Sequence, residues 1–185
     1  SKLLEEMGAK VNFESYNSIF VDSKNLNTPC APYDLVKTMR ASFYVLGPLL
    51  ARFGKAKVSL PGGCAWGPRP VDFHLEGLKA LGVKISIENG YVVADGSNLT
   101  GSKIHFPKIS VGATGNVVMV AILAKGRTTI TNAASEPEIQ QLCEMLNSMG
   151  ANISGIGSNT LTIEGVSSLN SISNISVIPD RIEAG

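Results

Sequence analysis

Apolar and polar positions follow one pattern three times along this chain. "LLEEMGAKVNF" (3–13), "GLKALGVKISI" (77–87) and "EMLNSMGANIS" (144–154) each carry an apolar helical stripe, one glycine, then alternating apolar residues. Each stretch predicts an amphipathic helix closed by a left-handed glycine (Gly8, Gly82, Gly150) and followed by a strand. A second strand follows each time: "NSIFVDS", "NGYVVAD" and "SNTLTIEG". Asn89-Gly90 is the strongest hairpin signal, because both residues tolerate the positive φ of a two-residue turn.

A second pattern lies between these pieces. "YDLVKTMRASFYVLGPLLARFGKAKVSLPGG" (33–63) and "SVGATGNVVMVAILAKGRTTITNA" (110–133) both read as helix, glycine, strand. These helices are apolar over most of their circumference, which predicts burial on all sides. Asp34 is the expected N-cap of the first, and Gly47-Pro48 should bend it. The repeating unit is therefore strand, helix, strand, helix, strand, strand, about 70 residues long. Two and a half copies fit, the third stopping at "PDRIEAG", where its own buried helix should begin. That stop, and the missing initiator Met, suggest a piece of something longer. Buried helices between amphipathic helix-plus-hairpin pieces predict an α/β fold with helices inside and sheets outside, the inverse of the usual layering.

Composition narrows the function. The 185 residues are 44% apolar and 17% charged, a globular balance, and the net charge of +1 gives no field for nucleic acid or a bare membrane surface. The longest apolar run, "VVMVAILA", is far short of a membrane span, and "SKLLEEMGAK" lacks the apolar core of a signal peptide. Cys30, Cys64 and Cys143 form neither a disulfide framework nor a zinc pattern, so no metal and no cofactor are expected. A reducing cytoplasm fits this cysteine usage.

The chemistry concentrates in "LPGGCAWGPRP" (60–70). Gly62 and Gly63 free the backbone, while Pro68 and Pro70 stiffen the far side. Arg69 lies five residues beyond Cys64, and a positive neighbour lowers a thiol's pKa. The glycine-rich turn also offers backbone N–H groups to an anion. Such a loop is a candidate site for a phosphate or carboxylate beside a reactive thiol. An incidental thiol in a flexible loop is the alternative.

"LPGGCAWGPRPVDFH", "YDLVKTMRAS", "ISVGAT", "NAASEPEI" and "PDRIEAG" resemble, in order and over essentially the whole chain, the UDP-N-acetylglucosamine 1-carboxyvinyltransferase family of enolpyruvyl transferases. The resemblance implies an inside-out α/β barrel lobe of repeated units. Residues 1–178 would be the lobe carrying the cysteine loop, and 179–185 the start of a crossover to a second lobe. It implies transfer of the enolpyruvyl group of phosphoenolpyruvate to the 3-hydroxyl of UDP-N-acetylglucosamine, with release of phosphate, in bacterial peptidoglycan synthesis.

In that reading Cys64 is the proton donor and can form an adduct with phosphoenolpyruvate. Arg69 contacts both substrates, its guanidinium fork matching two anionic oxygens. Pro70, Val71, Asp72 and Phe73 line the nucleotide pocket, and Lys108, Ile109, Ser110 and Val111 form a second nucleotide-contacting turn. Arg40 is a further nucleotide-side arginine, or alternatively half of a structural ion pair. Ser110 and Gly112, ahead of a buried helix, would offer N–H groups to the diphosphate. His74 matches a family histidine near the site, although a packed, hydrogen-bonded histidine is the competing reading. Asp180 and Arg181 match a junction motif, and Trp66 departs from the family's usual aliphatic residue. The partner lobe's cations and base have no matching motif, so the chain alone is expected to be nearly inactive. Two rivals remain at this stage. One is the shikimate-pathway enolpyruvyl transferase, whose loop lacks the cysteine, and the other is a non-catalytic repeat domain.

Overall fold

The computed structural model describes residues 1–37, 39–61, 71–180 and 182, with Arg40 described by its backbone alone. The chain divides into two compact units, one of residues 1–71 and 84–97, the other of 72–83 and 98–185.

The first unit opens with helix α1 (Lys2–Glu6) and the antiparallel hairpin β1 (Lys10–Ser15) and β2 (Ser18–Asp22). Its main sheet contains β3 (Cys30–Ala31), β4 (Lys55–Ser59), β5 (Lys84–Glu88) and β6 (Tyr91–Asp95), in the order β3-β4-β6-β5. The β3–β4 pair is parallel and the other two pairs are antiparallel. Asn89 and Gly90 alone connect Glu88 to its partner Tyr91, with φ of 50° and 80°. These are the angles of the mirror-image turn that matches strand twist. Inward residues Ala56, Val58, Val92 and Ala94 are buried, while their neighbours Lys55 and Lys57 face solvent.

The second unit contains α4 (Asp72–Ala80), β7 (Lys103–His105), α5 (Val111–Ala121), β8 (Arg127–Thr131), α6 (Pro137–Ser148), β9 (Asn152–Ser154) and β10 (Thr160–Glu164). Its sheet order is β7-β8-β10-β9, again with a parallel first pair and antiparallel remainder. The two sheets thus share one topology, as the repeat predicts. Both are open, and the described strands form no closed barrel.

Helix α5 is the core of this unit. Eight of its eleven residues are buried, with Val117, Val118, Val120 and Ala121 fully so. It packs against α4, α6 and β10. On α6, buried Ile139, Cys143 and Leu146 recur at helical spacing, the stripe expected of an amphipathic helix covering a core. The expected layering holds within the unit: a largely buried helix, amphipathic helices beside it, and a sheet with one outer face.

The three predicted glycine stops share one geometry. Gly8, Gly82 and Gly150 have φ of 101°, 90° and 96°. After each, the next residue's N–H reaches back to a leucine carbonyl: Ala9 to Leu4, Val83 to Leu78, Ala151 to Leu146. The glycine N–H bonds one residue further on, to Glu5, Lys79 and Asn147. This pair of bonds satisfies carbonyls that a helix end otherwise leaves orphaned. The carbonyl of the capping residue (Met7, Leu81, Met149) then accepts an N–H from the segment leading onward (Asn27, Thr100, Asn170).

The first long helix differs from expectation. It is three pieces: α2 (Tyr33–Val36), a 3-10 helix (Arg40–Val45) and α3 (Leu46–Phe53). Met39 is extended (φ −149°, ψ 113°), which interrupts the ladder. Pro48 is the third residue of α3, where its missing N–H would have had no helical partner. The proline therefore sits within the first turn of a new helix rather than bending a continuous one. α3 is amphipathic, with Pro48 and Arg52 outside, so the prediction of burial all round held for α5 only. Asp34 is not the cap either. Pro32 takes that place, its carbonyl accepting from Leu35 and Val36, and Asp34 lies in the first turn, paired to Lys37 Nζ at 2.6 Å.

Gly82→Ala should cost about 1–3 kcal/mol, since it adds left-handed strain and sets a Cβ 2.9 Å from the Asn98 carbonyl oxygen. Gly90→Ala has similar strain but nothing within 4 Å, so it should cost less. Urea unfolding of the two variants checks the order.

Candidate functional site

Two of the expected substrate-contacting segments, Asp72–Phe73 and Lys108–Val111, fall in the second unit. The second is placed by the end of the β7–β8 pair. Phe106, 2% exposed, donates its N–H to the Thr131 carbonyl at 3.1 Å. Its own carbonyl accepts Asn132 Nδ2 at 2.8 Å. Asn132 is left-handed (φ 57°), a conformation its short polar side chain tolerates, and this aims the amide back across the strands. Pro107, Lys108 and Ile109 then form an exposed turn.

Ser110 ends that turn as the N-cap of α5. Its backbone is extended, its carbonyl accepts the Thr114 N–H at 2.9 Å, and Oγ accepts the Ala113 N–H at 3.3 Å. The N–H groups of Val111 and Gly112 precede any intrahelical acceptor. Gly112 is thus the second residue of α5 rather than a residue ahead of it. Lys108 and the positive end of α5 together give a local preference for anions in a chain of net charge +1.

α4 supplies the other segment. Asp72 is exposed, and Phe73 is half-buried with its ring centroid 6.5 Å from that of Phe106. That contact brings the start of α4 beside the turn that begins at the next residue, Pro107, and carries Lys108. His74, 7% exposed, pairs through Nδ1 with Asn116 Nδ2 of α5 at 2.9 Å. Gly77 allows the close approach of the two helices, because a Cβ there would lie 2.5 Å from Val117 Cγ2. A groove of about 180 Å³ beside these residues, lined by Phe73, Glu76, Lys103 and His105 among others, is smaller than the roughly 300–1,000 Å³ of small-molecule pockets.

Val71 is buried, in the first unit. Arg40 begins the 3-10 helix of that unit. Cys64, Arg69 and Pro70 lie outside the described residues, as do Trp66 and Arg181. Asp180 is exposed, and its Oδ1 accepts the Ile182 N–H at 2.8 Å. The segment ahead of it is clasped by Gln141, which donates Nε2 to the Ser176 carbonyl at 2.8 Å and accepts the Ile178 N–H at 3.1 Å. Cys30 is half-buried. Cys143 is fully buried, and burial pushes its thiol up to about 11, with Glu144 adding to the rise.

Three residues carry polar features that the sequence reading did not single out. Asn116 was visible as the one amide within "VGATGNVVMVA". Thr114, also in that helix, accepts the Ala134 N–H at 3.0 Å through Oγ1, tying α5 to the "NAASEPEI" segment. Glu136, the N-cap of α6, has a buried Oε2 without a hydrogen-bond partner, and nothing in the sequence distinguished it from the neighbouring Glu138. Among the described residues no group of three or more His, Cys, Asp or Glu side chains is placed to hold a metal.

The family described as EPSP synthase (3-phosphoshikimate 1-carboxyvinyltransferase) matches residues 1–185. The chain belongs to the EPSP synthase family. Curated family members resemble it over its whole length. The UDP-N-acetylglucosamine 1-carboxyvinyltransferase of Chloroherpeton thalassium is 59% identical over 187 residues, and that of Chlorobium chlorochromatii 56% over 186. The chain spans 43% and 44% of their respective lengths. The fold matches the enolpyruvyl transferase NikO from Streptomyces tendae with a TM-score of 0.81, at 24% identity over 99% of this chain and 44% of that one. An EPSP synthase from Acinetobacter baumannii matches with a TM-score of 0.69, at 17% identity over 91% of this chain and 39% of that one. The mixed α/β fold is thus that of the enolpyruvyl transferases.

Two outcomes follow from this geometry. Gly77→Ala should destabilise by about 1–3 kcal/mol in urea unfolding, because the β-branched, fully buried Val117 cannot yield. A thiol titrating near 11 is about 0.1% thiolate at pH 8. Native Cys143 should therefore resist iodoacetamide at that pH, and peptide mass spectrometry should find it modified only after unfolding.

Proposed function

We propose that the full-length gene product transfers the enolpyruvyl group of phosphoenolpyruvate to the 3-hydroxyl of UDP-N-acetylglucosamine and releases phosphate. One observation carries the reading. The chain carries the "GGCAWGPRP" loop and is 53–59% identical over its length to relatives named for that activity. In this reading the sugar hydroxyl oxygen bonds to C2 of phosphoenolpyruvate and gives its proton to a base of the opposing lobe, while another proton is added at C3. The resulting tetrahedral adduct then loses phosphate as a proton leaves C3, restoring the vinyl group. Cys64 supplies the C3 proton, and Arg69 spreads its charge over phosphate and carboxylate oxygens.

Lys108 and the capped N-terminus of α5 provide the cationic end that a diphosphate requires. Val71, Asp72, Phe73, Ile109, Ser110, Val111, Pro70 and Arg40 complete the nucleotide side. The groove of about 180 Å³ supports the need for a second lobe, since a nucleotide sugar overfills it. Holding two reactants in one geometry can lower a barrier by about 7–11 kcal/mol. A chain without the opposing cations and base forgoes most of that, so residues 1–185 alone are nearly inactive. The gene product works in the bacterial cytoplasm, where peptidoglycan precursors are made. Among the described residues no helix is long and apolar enough to cross a membrane.

Phosphate release from phosphoenolpyruvate should require UDP-N-acetylglucosamine in the full-length gene product, and should fall at least about 100-fold in Cys64→Ala. Release dependent on shikimate 3-phosphate instead, or an undiminished rate in the variant, would overturn the reading. Purified residues 1–185 should show no measurable turnover.

A further inference from the structure

Helix α5 carries two fully buried polar side chains within its apolar length, Thr114 and Asn116. The Thr114 hydroxyl accepts the Ala134 N–H and so has a structural task. Asn116 is the amide that meets His74 on α4, its Nδ2 2.9 Å from the ring Nδ1. An amide nitrogen can only donate, so Nδ1 must accept, and the proton of the neutral ring then resides on Nε2. The same helix pair meets at Gly77 against Val117, and the Phe73–Phe106 ring contact lies beside it.

We infer that Asn116 is a positioning residue. Its Nδ2–H···Nδ1 bond fixes His74 as the Nε2–H tautomer and in doing so sets α4 on α5. The consequence lies in spacing. Asp72 and Phe73 begin α4, Lys108–Ser110 lead into α5, and the bond holds these two segments in one register. The effect on sugar-nucleotide binding rests on the function proposed above, but the tautomer does not.

His74 can be read by ¹⁵N NMR of the full-length gene product, its ring signals assigned by their loss in His74→Gln, with His105, assigned in the same way, as the reference. His105 Nδ1 lies 2.9 Å from Thr131 Oγ1. The unsubstituted protein should show His74 protonated at Nε2 and unprotonated at Nδ1. In Asn116→Asp the carboxylate cannot donate, and Nδ1 should become protonated. That variant should raise KM for UDP-N-acetylglucosamine about tenfold while kcat changes less.

A His74 ring already protonated at Nδ1 in the unsubstituted protein overturns the inference, and this reading needs no variant to fold. So does a tautomer unmoved by Asn116→Asp, or a reversed tautomer with KM unchanged. If the unsubstituted protein does not use UDP-N-acetylglucosamine at all, the functional reading falls, and the NMR result decides the inference by itself.

Discussion

Everything in the second unit is arranged around one constraint, a helix too apolar to meet water on any side. Within α5, Ala113, Val117, Val118, Val120 and Ala121 are at or near zero exposure. Burying an aliphatic side chain is worth about 1.5–3 kcal/mol, so a helix of this kind must be enclosed. α4, α6 and the sheet each cover part of its circumference. A small residue lets α4 come close: a Cβ on Gly77 would meet Val117 of α5. The polar groups that remain inside are matched to neighbours, Asn116 to His74 and Thr114 to Ala134.

The same enclosure places the candidate chemistry. A helix buried along its length has its ends as the natural points of contact with ligand. The N-terminal end of α5 is capped by Ser110, preceded by Lys108, and pinned through Phe106 to the end of β8. Side chains there can change without disturbing the core, since Lys108 and Ile109 are exposed while Phe106 close by is not.

Much of the fold was legible in the sequence, and the reason is local. A glycine ending an apolar stripe, or Asn-Gly between two alternating runs, acts through its own φ and needs no distant partner. Gly8, Gly82, Gly150 and the Asn89-Gly90 turn were all readable for that reason. The repeat was readable too, because two copies of one pattern yield two sheets of one order. The broken first helix was not. Extended Met39 breaks it, and an apolar stretch reads the same whether continuous or interrupted. The choice of Pro32 over Asp34 as cap was equally opaque, because both residue types occur at helix starts. For the candidate site, the segments around Phe73 and Lys108 were named from resemblance. Their meeting through Phe106 was invisible, since it joins residues far apart in sequence. Asn116 stood out as an amide in an apolar run, yet its partner could only be found in three dimensions.

The joint that closes each hairpin carries a consequence of its own. Met7, Leu81 and Met149 each offer their carbonyl to a backbone N–H 19 to 21 positions downstream, from Asn27 and Thr28, Thr100, and Asn170 respectively. Because the clasp is made by main-chain atoms on both sides, it places no demand on side-chain identity, and the outward-facing positions of the intervening ribbon can vary while inward ones such as Val92 and Leu161 stay in the core. Each ribbon is in effect an exchangeable cassette, whose tip can be lengthened, shortened or grafted during evolution or engineering while the two anchor points stay where they are.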